Sequence, residues 1–110
     1  MNYKTEIDPL FSKEFKVLLK KFPPLKSDFQ NVLDNIEKEL ALAYDLGNGF
    51  KKIRLNIKSK GKGSSGGGRV ITYETIIAVN NKLVVFASIY KKDDFDSIDL
   101  AVLKKNLGME

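Results

Sequence analysis

The sequence predicts an α+β fold in which an N-terminal strand and a helical hairpin pack on a mainly antiparallel sheet, with a short C-terminal helix. In the first half of the chain, apolar residues recur at intervals of three and four, the spacing of one helix face. Beyond Gly49, apolar and polar residues alternate, the spacing of half-buried strands. Helical and strand patterns are thus segregated, as in α+β domains. We expect the 110 residues to form a single domain, residues 1–110.

The first predicted elements are a strand over residues 2–7 and a helix that begins at Asp8-Pro9. Aspartate is a preferred N-cap residue, and proline is favoured at the first helical position. Pro23-Pro24 ends this helix, because proline removes a backbone donor and restricts the residue before it. The apolar stripe of the helix consists of Phe11, Phe15, Leu18 and Phe22.

A second helix is predicted to begin near Ser27, with Ser27 and Gln30 as a capping box, and to be closed by Gly47 and Gly49. The short connection between the two helices predicts an antiparallel hairpin. The apolar face of the second helix consists of Phe29, Val32, Leu33, Ile36 and Leu40. Both apolar stripes are interpreted as core-packing surfaces.

Three strands are predicted in the second half of the chain. In residues 52–58, isoleucine and leucine alternate with basic and polar residues, which predicts one buried face and one basic face. Residues 70–79 and 83–90 are predicted to form a hairpin around a turn at residues 80–82. A final short helix, with Asp96 or Ser97 as its N-cap, carries three leucines on one face and precedes Gly108.

The composition limits the chemistry that the chain can perform. It contains no cysteine and no histidine, which excludes disulfides, thiol nucleophiles, histidine-dependent triads and zinc sites built on these residues. The net charge of +5 favours polyanionic partners. No stretch has the length or apolar character of a signal peptide or membrane span, so we expect a cytoplasmic protein with no membrane partner. No cofactor and no metal are expected.

The segment KSKGKGSSGGGR, residues 58–69, is the most unusual stretch of the sequence. Its residues 61–66 match the dinucleotide-binding pattern G-x-G-x-x-G, but a strand follows them where that site needs a helix. A flexible linker explains the glycines and serines but not the lysines. Residues 51–69 hold seven basic side chains and no acidic one, which favours a phosphate backbone as ligand over a merely solvated face.

Several short motifs in this region resemble the RelE/ParE superfamily of bacterial toxins, in particular its HigB-like branch. The run Gly67-Gly68-Arg69-Val70 resembles the strand that follows the basic glycine-rich segment of that branch. The residues Gly49, Lys52, Ile53 and Arg54 resemble the family's G-x-x-K-L-R segment, and IYKKDD precedes a short helix. The order of predicted elements extends the resemblance over most of the chain. It implies the toxin of a type II toxin–antitoxin system that cuts mRNA on the ribosome.

RNA cleavage by attack of the 2′-hydroxyl requires a base, a stabiliser of the phosphorane charge and an acid for the leaving 5′-oxygen. The resemblance and the basic chemistry together nominate Arg69 for phosphate stabilisation and Lys60, Lys62 and Lys92 for catalysis or proton transfer. Crowding of lysines lowers their pKa values and so favours a lysine base. Further RNA-binding candidates are Lys51, Lys52, Arg54, Lys58, Lys91 and Phe95.

The sequence departs from the family at one position and leaves the function open. Some RelE-type toxins carry a base-stacking tyrosine where this chain has Ile98, which leaves Phe95, Tyr90 or Tyr73 as stacking candidates. The ParE-like branch inhibits DNA gyrase, and a third alternative is a non-catalytic nucleic-acid-binding or protein-binding module of the same fold. The partners implied for the leading hypothesis are a cognate antitoxin protein, the ribosome and mRNA.

Overall fold

The computed structural model describes residues 1–57, 67–94 and 98–109 and has the predicted α+β architecture. Its elements, in chain order, are β1 (Asn2–Ile7), α1 (Pro9–Lys21), α2 (Leu25–Asp34), α3 (Ile36–Leu42), β2 (Tyr44–Gly47), β3 (Phe50–Asn56), β4 (Gly67–Ala78), β5 (Asn81–Lys91) and α4 (Leu100–Asn106). Asp96 and Ser97, the predicted caps of the last helix, lie outside the described residues, and Asp99 caps α4.

The five strands form one sheet in the order β1-β5-β4-β3-β2. The pairs β2–β3, β3–β4 and β4–β5 are antiparallel, and β1 is parallel to β5. The strand β2 was not predicted, and β4 and β5 both extend beyond their predicted bounds. In the described part of the chain, no helix is long and apolar enough to cross a membrane.

Two apolar clusters cover the two faces of the sheet. Helices α1 to α3 cover one face, where the rings of Phe11, Phe29 and Phe86 lie 5.1 to 5.7 Å from one another. On the opposite face, Leu103 of α4 packs with Phe50 and with residues of β4 and β5. Because successive side chains of a strand point to opposite faces, each central strand supplies both clusters.

The second predicted helix is two helices, and its predicted capping box is wrong. The hydroxyl of Ser27 donates to the carbonyl oxygen of Pro24 at 3.0 Å, and Gln30 donates to Asp34 one turn later. The helix begins two residues before Ser27, at the fully buried Leu25. Asn35 separates α2 from α3, and its side-chain amide donates to the carbonyl of Asn31, a local bond of the kind that competes with a continuous helix.

The predicted start of α1 is confirmed, and the helix also protects the edge of β5. The Asp8 carboxylate accepts the Leu10 N–H at 2.9 Å, as an N-cap does. β1 pairs with β5 only as far as Phe86. Beyond that point, Glu14 Oε1 accepts the hydroxyl of Ser88 at 2.9 Å and the N–H of Ile89 at 3.1 Å, so a side chain covers the exposed strand edge.

The Glu14 carboxylate makes stability depend on pH. Burial raises the pKa of Glu14 above its usual value of 4.5, against the opposing effect of its two hydrogen bonds. The folded state therefore holds this proton more tightly than the unfolded state, and stability falls as pH rises from the unfolded towards the folded pKa. Glu14→Gln keeps an oxygen acceptor but does not titrate. We expect urea denaturation to show the variant gaining stability relative to the wild type as the pH rises above the usual glutamate pKa of 4.5; a pH-independent difference would contradict this.

Gly47 and Gly49 shape the β2–β3 turn rather than a helix end. Gly49 has φ +87°, and a Cβ there would lie 2.9 Å from the carbonyl oxygen of Glu74 and 3.0 Å from the Tyr73 ring. Gly47 has φ +89°, but a Cβ there would meet no atom within 4 Å. The two glycines thus share a backbone conformation and differ in the space around them.

This pair offers a matched test of close packing in the turn. We expect Gly47→Ala to lower the free energy of unfolding by about 1–2 kcal/mol, because alanine must adopt a left-handed backbone there. Gly49→Ala should cost about 1–3 kcal/mol more, because the added methyl group displaces β4. The free energies of unfolding in urea measure both values. Equal losses in the two variants would show that the approach of β4 to the turn does not constrain position 49.

Candidate nucleic-acid interface

Two basic residues face each other in the centre of the sheet. In the β3–β4 pair Arg54 is directly opposite Arg69, and in the β4–β5 pair Arg69 is directly opposite Tyr90. These three side chains therefore form a row across three strands, on the face that α4 covers further along. Like charges directly opposite each other destabilise a sheet. The fold thus accepts an electrostatic cost at this row, which is characteristic of functional sites.

Arg69 is the most constrained member of the row. Its side chain is buried, with the residue only 7% exposed, and its Nη1 donates to the carbonyl of Gly68 at 2.8 Å. Burial, followed by the charge of Arg54, lowers the pKa of Arg69, while Tyr90 raises it. Arginine nevertheless stays protonated at neutral pH. A phosphate group bound here would relieve the repulsion between the two guanidinium groups.

The backbone at the start of β4 explains how the run Gly67-Gly68-Arg69-Val70 holds Arg69 in place. A Cβ at Gly68 would lie 3.1 Å from the carbonyl oxygen of Leu55 and from the side chain of Ile57. Glycine favours this close approach of β3 and β4, because an added Cβ would force these neighbours to move by a few tenths of an ångström. The neighbouring Gly67 carbonyl accepts the N–H of Lys92 at 2.8 Å, which ties the end of β5 to the start of β4.

An open cleft of about 720 Å³ runs along this part of the sheet, and we refer to it as the cationic cleft. The described residues that line it include four cations and no carboxylate. These lining residues are Leu42, Ala43, Tyr44, Lys52, Arg54, Arg69 and Lys92. This concentration of cations among the described lining residues suits a phosphate or another polyanion.

The structure brings together four of the residues nominated from the sequence: Lys52, Arg54, Arg69 and Lys92. The predicted alternation in β3 explains this, because Lys52 and Arg54 project opposite to the buried Ile53 and Leu55. Lys92 reaches the cleft from the turn after β5. Four other nominated residues, Lys58, Lys60, Lys62 and Phe95, lie outside the described residues.

Two nominated lysines lie elsewhere. Lys51 projects to the other face of β3, where its Nζ lies 3.0 Å from Oε2 of Glu74, and Lys82 pairs with the same carboxylate. Lys91 lies near α1, with its Nζ 5.6 Å from the centroid of the Phe22 ring and 3.9 Å from Oδ1 of Asp94. The structure therefore does not bring either lysine into the cationic cleft.

The aromatic candidates from the sequence belong largely to the core. Tyr90 is buried with Phe50 and Ile71, and burial raises its pKa. Its phenol is therefore neutral at physiological pH and does not serve as a base there. Tyr73 packs 5.1 Å from the Phe50 ring, and Ile98 joins the same cluster.

Tyr44 was not predicted as a candidate functional residue. This residue begins β2, lies directly opposite Lys52 and is 67% exposed at the edge of the cationic cleft. Its four-residue strand, YDLG, has no β-branched residue and is too short for its alternation to predict a strand. The only indication in the sequence is that Tyr44 is an aromatic residue in the short stretch between the second predicted helix and the first basic strand.

The described residues contain no cluster of three or more carboxylates of the kind that holds a metal ion. The chain matches no family model, no curated protein and no solved structure. The proposal that follows therefore depends on the geometry of the cationic cleft and on the resemblance of the motifs that line it.

Proposed function

We propose that this protein is a RelE/ParE-type toxin that cuts mRNA on the ribosome. The observation that carries the proposal is the cationic cleft, in which the facing pair Arg54 and Arg69 is joined by Lys52 and Lys92. Such a cluster binds consecutive phosphates of a single strand. The toxin would act in the cytoplasm and be held inactive by a cognate antitoxin that covers the cleft.

From this arrangement we assign distinct roles to the cations in the proposed cleavage. Arg69, held between Arg54 and Tyr90, is positioned to bind the non-bridging oxygens of the scissile phosphate, where charge develops in the phosphorane. Arg54 supplies a second guanidinium to the same group. Lys92 is exposed at the rim and donates a proton to the leaving 5′-oxygen or binds the next phosphate.

The lysine base assigned to the 2′-hydroxyl comes from the glycine-rich segment. That segment connects Ile57 to Gly67, and Gly67 is hydrogen-bonded to Lys92 at the rim of the cleft. Lys60 and Lys62 are the lysines of this segment that the resemblance nominates for catalysis. With no histidine in the chain, lysine is the available base, and nearby like charges in general favour its neutral form.

Translation of a defined mRNA by purified ribosomes tests this function. We expect the protein to produce discrete mRNA fragments when ribosomes are present and none when the same mRNA is incubated alone. The fragments should end in 2′,3′-cyclic or 3′-phosphates, because the 2′-hydroxyl is the nucleophile. Intact mRNA together with trapped gyrase–DNA breaks would instead support the ParE-like alternative. Binding of RNA without either reaction would support a non-catalytic module.

Salt dependence provides an independent measurement of phosphate contacts. For a single strand, each neutralised phosphate contributes about −0.7 to the slope of log K against log salt, so four cations predict a slope of about −3. Arg54→Gln should reduce the slope by about 0.7. Lys16→Gln on the exposed side of α1 removes the same charge away from the cleft and is expected to leave the slope unchanged. A slope unaffected by Arg54→Gln would place the phosphates elsewhere.

A further inference from the structure

One wall of the cationic cleft is apolar and exposed. Leu42 is 75% exposed and Tyr44 is 67% exposed, and neither belongs to the two core clusters of the described chain. They follow one another closely, at the end of α3 and the start of β2, on the side of the cleft away from Arg69. An exposed aromatic residue beside a basic groove suits a ligand with both phosphates and flat apolar groups.

The Tyr44 ring is held by its partner across the strand pair. Lys52 is directly opposite Tyr44 in the β2–β3 register, and its Nζ lies 5.7 Å from the ring centroid. This is within the range of a cation–π contact, which restricts the orientation of the ring. Since Tyr44 remains 67% exposed, most of the ring surface stays accessible to a ligand in the cleft.

The distance between the two walls fits one nucleotide. Tyr44 lies on β2 and Arg69 on β4, with only β3 between them. Adjacent strands are separated by about 4.8 Å, so the two backbones are about 10 Å apart across the sheet. A nucleotide that placed its phosphate on Arg54 and Arg69 would extend its base towards β2. An acidic peptide would use the cations but would leave the aromatic wall without a ligand.

We propose that Tyr44 is the platform on which one nucleobase of a single-stranded RNA stacks while the adjoining phosphate binds Arg54 and Arg69. The inference rests on the proposed function, because it takes RNA as the ligand of the cationic cleft. Stacking on an aromatic ring is tolerant of base identity, since every base has a flat face. Tyr44 therefore positions the strand rather than selecting one base.

A double-mutant cycle, in which the Tyr44 ring and one RNA base are removed singly and together, tests the stacking directly. The probes are short single-stranded RNAs with 2′-O-methyl groups, which prevent cleavage, and a series in which each position in turn is abasic. Fluorescence anisotropy at fixed salt gives Kd for each pair. We expect Tyr44→Ala to weaken binding of the intact RNA about 5- to 150-fold, the range for one stacked base. Tyr44→Phe keeps the ring and should bind as the wild type does.

The abasic series isolates the contact. In the wild type, one abasic position should weaken binding by about the same factor as Tyr44→Ala, and combining that RNA with the variant should produce no further loss. The matched control is Tyr3→Leu compared with Tyr44→Leu. Tyr3 lies on the opposite edge strand with Lys82 Nζ 5.9 Å from its ring centroid, so it has a similar ammonium contact away from the cleft.

The outcomes separate this inference from the proposed function. If RNA binds and Arg69→Gln weakens it, but Tyr44→Ala does not, the stacking role is wrong and the cationic cleft stands. If the loss of affinity from Tyr44→Ala and the loss from an abasic position multiply at every position tested, Tyr44 does not stack on any base of the probe. If RNA does not bind, or if a polyglutamate peptide competes with equal dependence on Tyr44, the stacking inference fails, whereas the proposed function fails only if mRNA stays intact in the ribosome assay.

Discussion

Replacing Arg69 by glutamine is expected to lower the rate of ribosome-dependent mRNA cleavage about 100- to 1,000-fold, the usual effect of removing one donor from a developing oxyanion. The side chain is buried between Arg54 and Tyr90, so solvent and neighbouring lysines do not replace it. Arg69→Lys should recover only part of the rate, because an ammonium group lacks the planar fork of donors that binds two phosphate oxygens.

The stability of the Arg69→Gln variant distinguishes a catalytic role of Arg69 from a structural one. Because Arg69 faces Arg54, its replacement by neutral glutamine removes a repulsion and also the hydrogen bond to the Gly68 carbonyl, so we expect the free energy of unfolding to change by less than about 1.5 kcal/mol. Lys16→Gln serves as the charge control for the cleavage assay. Cleavage within threefold of the wild-type rate by a folded Arg69→Gln protein would remove Arg69 from the reaction. A large loss of stability would instead give Arg69 a structural role.

Replacing Phe86 by alanine is expected to reduce the free energy of unfolding by about 3–5 kcal/mol, the typical cost of deleting a buried aromatic ring. Phe86 is fully buried on β5 and lies 5.7 Å from Phe11 and 5.1 Å from Phe29, so it joins α1 and α2 to the sheet. Urea denaturation measures the loss. Ile76→Ala, at a position that is 71% exposed, should change stability by less than about 0.5 kcal/mol.

A loss below about 1 kcal/mol in Phe86→Ala would mean that the helices adjust to fill the cavity. Such a result would show that the cluster on this face of the sheet is not closely packed around Phe86. The prediction is independent of the proposed function, because it concerns the opposite face of the sheet from Arg54 and Arg69.

Local patterns in the sequence predicted most of the fold and part of the site. The apolar stripe of α1 and the alternation in β3 survive in the structure because each pattern matches a face that is buried against a continuous surface. The alternation also identified Lys52 and Arg54 as neighbours on one face. The start of α2 was missed because Pro24 begins the helix without a side-chain cap, which leaves no cap residue to recognise.

The positions of side chains that depend on pairing between strands could not be predicted from the sequence. Lys51 and Lys52 are adjacent in the chain, yet only the orientation of β3 decides that one pairs with Glu74 and the other lines the cleft. Tyr44 enters the cleft only because β2 adds to the edge of β3 in a register that places it opposite Lys52. A one-residue change of that register would turn the ring to the other face.

The parallel pairing of β1 with β5 has a consequence for the way the protein is made. Asn2 pairs with Asn81, so the sheet joins segments that are synthesised at very different times. Contacts between residues so distant in sequence form slowly, since a long loop must close before they stabilise anything. Tyr90, which completes the row with Arg54 and Arg69, belongs to the same late strand. A partly synthesised chain therefore emerges from the ribosome without an assembled cleft, and the finished site appears only after β5 has been translated and has joined the sheet.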